Sequence, residues 1–334
     1  MTSYTKVQTI ADIARLAGVS KATVSRALND SPLVSASTRE RVLAIAGEHG
    51  FEMNDPARRL SLGQSNVIAL VTYPYETVPD AFMLEIISGL SSGLRTGGYD
   101  LLLIQTAPGD TSWIGRYLGS GRADGFVLLA SACTQEHLRT LEARSAPFVI
   151  WGLPDDGRSR CTVTGDSFTG GRLATEHLLG IGRSRIAFLG GPAGEPEVRE
   201  RYRGYEAAVA AADVALDPAL VAYGKYTESS ATTAMRELLS QAGDLDGVFV
   251  NSDLMAIAAI EELRAHGRRV PEDVAVVGYD DIALAAHSDP PLTTVRQSGP
   301  LAGRLLAETL IQHLKTGVVT QMSIPAELVV RGSA

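Results

Sequence analysis

Apolar positions in the first fifty residues recur with helical spacing, whereas from residue 66 onward they come in short unbroken runs. Ile10, Ile13, Ala14 and Ala17 stand at i, i+3, i+4 and i+7, one face of a helix that Thr9 is placed to cap. Gly18-Val19-Ser20 interrupts the pattern, the glycine permitting a tight turn and Ser20 offering a second cap. A second helix is predicted over about 21–28, with Val24, Ala27 and Leu28 inward and Ala22, Ser25, Arg26 and Asn29 outward. A third is predicted from near Ser37, where Ser37-x-x-Glu40 reads as a capping box. It buries Val42, Ile45, Ala46 and His49 and ends at Gly50. The stretch 54–66 has Asp55 as a cap and Pro56 at a first helical position, but it is too short to be a stable helix without a partner.

The later runs alternate with amphipathic stretches. Strands are predicted at 67–73, 100–106, 125–130 and 147–151, with helices at 82–97, 112–120 and 135–144 between them. A second series has helices at 167–179, 198–212, 228–241 and 253–266 and strands at 185–191, 220–224, 247–251 and 274–280. Prolines 290 and 291 end that series. An extended crossover, a helix at 301–316 and the run 323–330 follow. Such βα repetition implies parallel sheets covered on both faces, and the length favours two α/β sandwiches over one sheet of eleven strands.

Charge sharpens the division. The chain has a formal net charge of −8, yet residues 1–60 hold 8 Lys and Arg against 6 Asp and Glu, so the acidity lies in the remainder. A basic reader on an acidic body is one arrangement that gives this balance. No run reaches the ~18 apolar residues of a membrane helix, and the opening residues lack a signal-peptide core, so a cytoplasmic protein is expected. Cys133 and Cys161 have neither CxxC spacing nor a nearby histidine cluster, which argues against zinc or a disulfide framework. Cofactor and metal are expected to be none.

The string 9–29, TIADIARLAGVSKATVSRALN, combines a packed helix, a glycine turn and a second helix with a free polar face. A helix-turn-helix needs these parts, although an ordinary helical hairpin has the same spacing. The string resembles the N-terminal reader of the LacI/GalR family of bacterial transcription regulators. Further matches follow in order: NDPARRL (54–60), GDSFTGGRLATEHLLGIGRSRIAFLGGP (165–192), RYRGYEAAV (201–209), NSDLMAIAAI (251–260), VVGYDD (276–281) and PPLTTVRQ (290–297).

The resemblance implies an all-α, lambda-repressor-like helix-turn-helix domain followed by a two-lobed, periplasmic-binding-protein-like α/β core. The domains expected are 1–53 for the DNA reader and 54–65 for a hinge helix and linker. The core's N-subdomain is expected at 66–164 with 293–320, and its C-subdomain at 165–292 with 321–334. Chain crossings between lobes are expected near 163–166, 291–295 and 318–323. Base reading carries over to Lys21, Ala22 and Arg26, with Thr9, Ser20, Thr23, Ser25 and Asn29 near phosphates or the groove edge. Arg26 suits a bidentate contact to guanine. Leu60 matches the family's minor-groove wedge, with Ala57 one turn earlier, although Leu60 packed on the core domain would also fit the spacing.

Effector residues are expected at strand ends facing the cleft. Those are Tyr73, Tyr75 and Phe82 after the first strand, Ser131 after the third, and Trp151 at the end of the fourth. Arg201 matches the family arginine three residues before the glycine of its helix, and Asp280 the acid of VVGYDD. An arginine with a carboxylate grips adjacent hydroxyls, as a sugar requires. Ser252, expected as a further effector residue, stands where the family often has asparagine. Some sugar-responsive members have an acid where Gly152 lies and an aromatic near Gly299. Asp253 reads as an N-cap and Trp151 equally well as core.

The glycine-rich 190–194 fits no nucleotide loop, GxSxG and HExxH are absent, and the Asp280-Asp281 pair should diverge on extended backbone. No catalysis is expected. The function implied is a ligand-responsive repressor that binds a palindromic double-stranded DNA operator as a homodimer, with a sugar or related metabolite as effector. Dimer contacts are expected from helices 82–97 and 301–316. The alternative is a cytoplasmic sugar-binding protein or sugar-modifying enzyme with a helical appendix.

Overall fold

The structure is a computed structural model that describes residues 9–28, 30–51, 64–72, 81–107, 109–129, 133–152 and 157–334. Asn29, Ala57, Leu60, Tyr73, Tyr75 and Ser131 lie outside the described residues. The chain divides into two compact units, Met1–Ser65 and Asn66–Ala334.

The first unit holds helices α1 (Ile10–Ala17), α2 (Lys21–Leu28) and α3 (Ala36–Glu48). Thr9 caps α1 in a reciprocal capping box with Asp12, and Gly18 closes it at φ 64°. Ile13, Ala17, Val24, Ala27, Val42 and Ala46 form the core that the helical spacing implied. The start of α3 differs from the expected capping box. Val34 is buried in that core, which leaves Ser35 at the turn, and its hydroxyl takes the Thr38 N–H. His49, expected inside, is exposed beyond the end of the helix.

The second unit contains two six-stranded sheets. In the first lobe β1 (Val67–Thr72), β2 (Asp100–Gln105), β3 (Gly125–Leu129), β4 (Phe148–Trp151), β5 (Thr162–Gly165) and β11 (Gln321–Ile324) lie in the order 2-1-3-4-5-11. The second lobe arranges β6 (Ile186–Gly190), β7 (Val221–Tyr223), β8 (Gly247–Val250), β9 (Ala275–Asp280), β10 (Thr293–Arg296) and β12 (Glu327–Val329) as 7-6-8-9-10-12. Among the described residues all pairings are parallel except β10 with β12. Unbroken apolar runs follow from burial on both faces. In β1, Ile68 and Leu70 enter one core layer, Ala69 and Val71 the opposite one.

Helices α4 (Ala81–Thr96), α5 (Ser112–Leu118), α6 (Gln135–Ala143) and α11 (Gly299–Thr316) cover the first sheet. The second is covered by α7 (Ser167–Gly180), α8 (Pro196–Ala211), α9 (Glu228–Gln241) and α10 (Asp253–Ala265). One helix pair in each lobe packs backbone to backbone. A Cβ on Gly89 of α4 would strike the Pro300 carbonyl of α11, and one on Gly171 of α7 would strike the Arg201 carbonyl of α8. Helices 82–97 and 301–316, expected to face a second copy, therefore spend one side each on the other. No helix among the described residues is long and apolar enough to cross a membrane.

Two lobe crossings fall later than expected. The chain leaves the first sheet after Gly165, as expected, but returns after Arg296 and crosses finally between Ile324 and Glu327. Residues 293–296, assigned to the first lobe in the sequence, pair with β9 in the second. Residues 321–324, assigned to the second lobe, pair with β5 in the first. The prolines at 290 and 291 precede β10 and so remove no ladder donor, which is why the second sheet continues past them.

Candidate functional site

The surface suited to DNA is built from α2. Ser20 caps it, its hydroxyl accepting the Thr23 N–H at 3.1 Å and lying 2.8 Å from the Thr23 hydroxyl. Burial of Val24 and Ala27 fixes the helix rotation, so Lys21, Ala22 and Arg26 are exposed together, with Thr23 and Ser25 half-buried beside them. Arg39 pairs with Asp30 at 2.7 Å and donates to the Ser31 carbonyl at 2.9 Å, bracing the turn after the helix. Thr9 is engaged in its own capping box, so its side chain first serves α1.

A cleft opens at the C-terminal ends of the strands of both lobes. Phe82 and Met83 from the start of α4, Trp151 at the end of β4 and Gly152 beyond it line the first-lobe side. The Phe82 and Trp151 rings stand 5.9 Å apart at 51°. Across from them lie Arg201 of α8, Asp280 at the end of β9, Glu195 and Glu197 at the start of α8, and Tyr226 after β7. Thr164, Gly165, Ser167 and Gln297 complete the lining near two of the lobe crossings.

Arg201 is only 6% exposed. Its guanidinium lies 3.7 Å from the Tyr279 ring centre, and Nη1 donates to the Asn251 carbonyl at 2.7 Å. Burial alone would lower its pKa, but Tyr279, Tyr226, Asp280 and Glu197 outweigh that and hold it above the ordinary arginine value. The Gln297 amide donates to Asp280 at 2.6 Å. Burial and the neighbouring Glu197 push Glu195 up to about 7, against a hydrogen bond from Tyr226 and the attraction of Arg201. Tyr226 is itself raised, chiefly by burial.

The structure thus gathers Phe82, Trp151, Arg201 and Asp280 in one cleft and leaves Ser252 out of it. Ser252 is the N-cap of α10, its hydroxyl turned to the Met255 N–H, because that N–H is otherwise unsatisfied. The role expected of Asp253 also changes. It is fully buried and accepts from the Ile282 N–H at 2.9 Å and the Thr294 hydroxyl, tying α10 to β10. Asp280 and Asp281 diverge as expected, but on backbone with φ 111° and 59° rather than extended. A Cβ at Gly299 would enter space that the Glu85 side chain occupies. Sequence reasoning missed Glu195, Glu197 and Tyr226. The available signal lay just beyond the glycine-rich 190–194, in two glutamates at a helix start.

These features define a two-lobed small-molecule receptor carried with a helix-turn-helix. Residues 9–54 match the bacterial regulatory proteins of the lacI family, and residues 175–334 match a periplasmic binding protein-like domain. The HTH-type transcriptional regulator CelR of Thermobifida fusca is 38% identical, covering 97% of this chain and 98% of its own. The HTH-type transcriptional repressor PurR of Aliivibrio fischeri strain MJ11 is 34% identical, covering 92% of each. Among solved structures, a CelR–cellobiose complex superposes with TM-score 0.77 at 37% identity, over 98% of this chain and 99% of that one. The lac repressor dimer bound to operator and the anti-inducer ONPF superposes with TM-score 0.85 at 26% identity, over 97% and 98%. The chain belongs to the lacI family of bacterial transcription regulators. It is a ligand-responsive DNA-binding regulator, as its relatives are, and not an enzyme.

Proposed function

We propose that two copies of the chain bind an approximately palindromic operator as a repressor, and that a neutral carbohydrate in the interlobe cleft sets their affinity for it. The observation that carries the effector class is the composition of the cleft. An aromatic pair, Phe82 and Trp151, faces Arg201 and three carboxylates, Glu195, Glu197 and Asp280. Aromatic faces suit the apolar faces of a sugar ring, and arginine with carboxylates suits its hydroxyls. Three acids against one buried arginine oppose a phosphorylated metabolite. The CelR complex with cellobiose supports the same class.

On DNA, Lys21, Ala22 and Arg26 read base edges, while Ser20, Thr23, Ser25 and Asn29 serve phosphates or the groove edge. Leu60 and Ala57, in the hinge 54–65, form the minor-groove wedge. Pairing through the outward faces of α4 and α11, where Leu84 is half exposed, matches protein symmetry to that of the operator. Ligand closes the lobes and shifts the hinge between helical and released forms.

Cellobiose and glucose 6-phosphate, each followed by thermal shift on the full chain, test the effector class. A neutral sugar at a hundred times its dissociation constant stabilises by roughly 2.7 kcal/mol, a clear shift in melting temperature. Stabilisation by the phosphate and not by any neutral sugar would refute it.

A further inference from the structure

The effector acid Asp280 sits on a turn that the local chain does not favour. Asp280 and Asp281 follow each other at φ 111° and 59°, in a region that L side chains rarely adopt. Such conformations persist where the surroundings over-determine them. Here the determinants come from far along the chain. Asp281 is gripped by Arg331 at 2.6 Å through one oxygen and by Arg296 at 2.7 Å through the other. Arg296 is 44% exposed on its side chain and is shared with Glu327 at 3.3 Å, whereas Arg331 is 19% exposed and anchored twice more. Its Nη1 donates to the Leu292 carbonyl at 2.8 Å, and its backbone N–H donates to the Thr293 hydroxyl at 2.9 Å.

The residues after Arg331 lock it there. Ser333 is fully buried, and its hydroxyl accepts the Thr293 N–H at 2.8 Å and donates to the Val276 carbonyl at 2.7 Å. The Val276 N–H in turn donates to the Ser333 carbonyl at 2.8 Å. Segment 331–334 therefore laces β9 to β10, with Arg331 reaching from it to the turn beside the cleft. Charge-assisted bonds from a planar guanidinium fix direction as well as distance.

We propose that Arg331 is a positioning residue for effector binding, acting through Asp281 to hold Asp280 toward the cleft. The proposal rests on the reading of Asp280 as an effector ligand. Arg331 follows β12, the strand that comes after the last lobe crossing.

The test is a double-mutant cycle on the full chain, with cellobiose titrated by calorimetry. Arg331→Met should weaken cellobiose at least tenfold, Arg331→Lys should lie between it and the parent, and in an Asp281→Asn background Arg331→Met should add less than twofold. Affinity of Arg331→Met within twofold of the parent, or an equal loss in both backgrounds, would overturn the proposal. If the parent chain does not bind cellobiose, positioning is read without ligand. Amide hydrogen exchange at 280–282 should then quicken at least tenfold in Arg331→Met relative to the amides of β8, and unchanged exchange there would overturn it.

Discussion

Arg201 and Glu195 show how the cleft stores an imbalance of charge. Arg201 is buried yet kept charged by the groups around it, while Glu195 is pushed up to about 7 because burial and Glu197 disfavour a second negative charge beside it. Folding therefore raises the affinity of Glu195 for a proton. The stability this supplies is fully present below the ordinary carboxylate range and is lost as pH rises through about 7. Melting temperatures followed from pH 5 to 8 should fall more steeply for the parent than for Glu195→Gln, which has no proton to lose. Parallel curves would contradict the assignment. Asp253, also raised to about 7 by burial, should leave the variant with some slope. At this scale Phe82 and Trp151 were legible in the sequence because they follow or end strands that face the cleft, whereas Arg201 and Asp280 were legible through the resemblance of their motifs to those of the family. Ser252 misled because its neighbours matched a motif while its hydroxyl was committed to a helix terminus. Tyr226 was not legible, since nothing in a loop tyrosine tells whether it faces solvent or a cleft.

Among the elements, the glycines of α7 carry more than chain flexibility. Gly171 lets the backbone of α8 approach at Arg201, and a Cβ on Gly170 would strike Tyr279, the ring beneath the Arg201 guanidinium. Gly171→Ala should push α8 away from α7, destabilising the core unit by roughly 1–3 kcal/mol as overpacking does. It should also weaken effector binding at least tenfold by moving Arg201; calorimetry on the folded variant measures this, and undiminished affinity would refute the seat. The helices and the buried strands were readable because their apolar runs are long and their caps explicit. The strands β5, β10 and β11 were not, for reasons visible in their residues. TVTG and QMSI are short and largely polar, and TTVR follows two prolines. These are the strands next to the lobe crossings, so the crossings were the part of the fold placed least well.

Across the whole molecule, two parts serve one function. One is the unit whose α2 leaves Lys21, Ala22 and Arg26 exposed, and the other is a two-lobed receptor with an aromatic and acidic cleft. Membership of the lacI family joins them as output and input. Linkage requires that a ligand which changes operator affinity be itself bound more or less tightly in the presence of operator, by the same factor. The decisive measurement is fluorescence anisotropy of a labelled operator, selected from random duplexes by the full chain, with and without saturating cellobiose, on the parent and on Arg201→Met. Ligand should change the operator affinity of the parent by about 5–150-fold and that of Arg201→Met not at all. Operator affinity unchanged while calorimetry shows the cleft filled would contradict it.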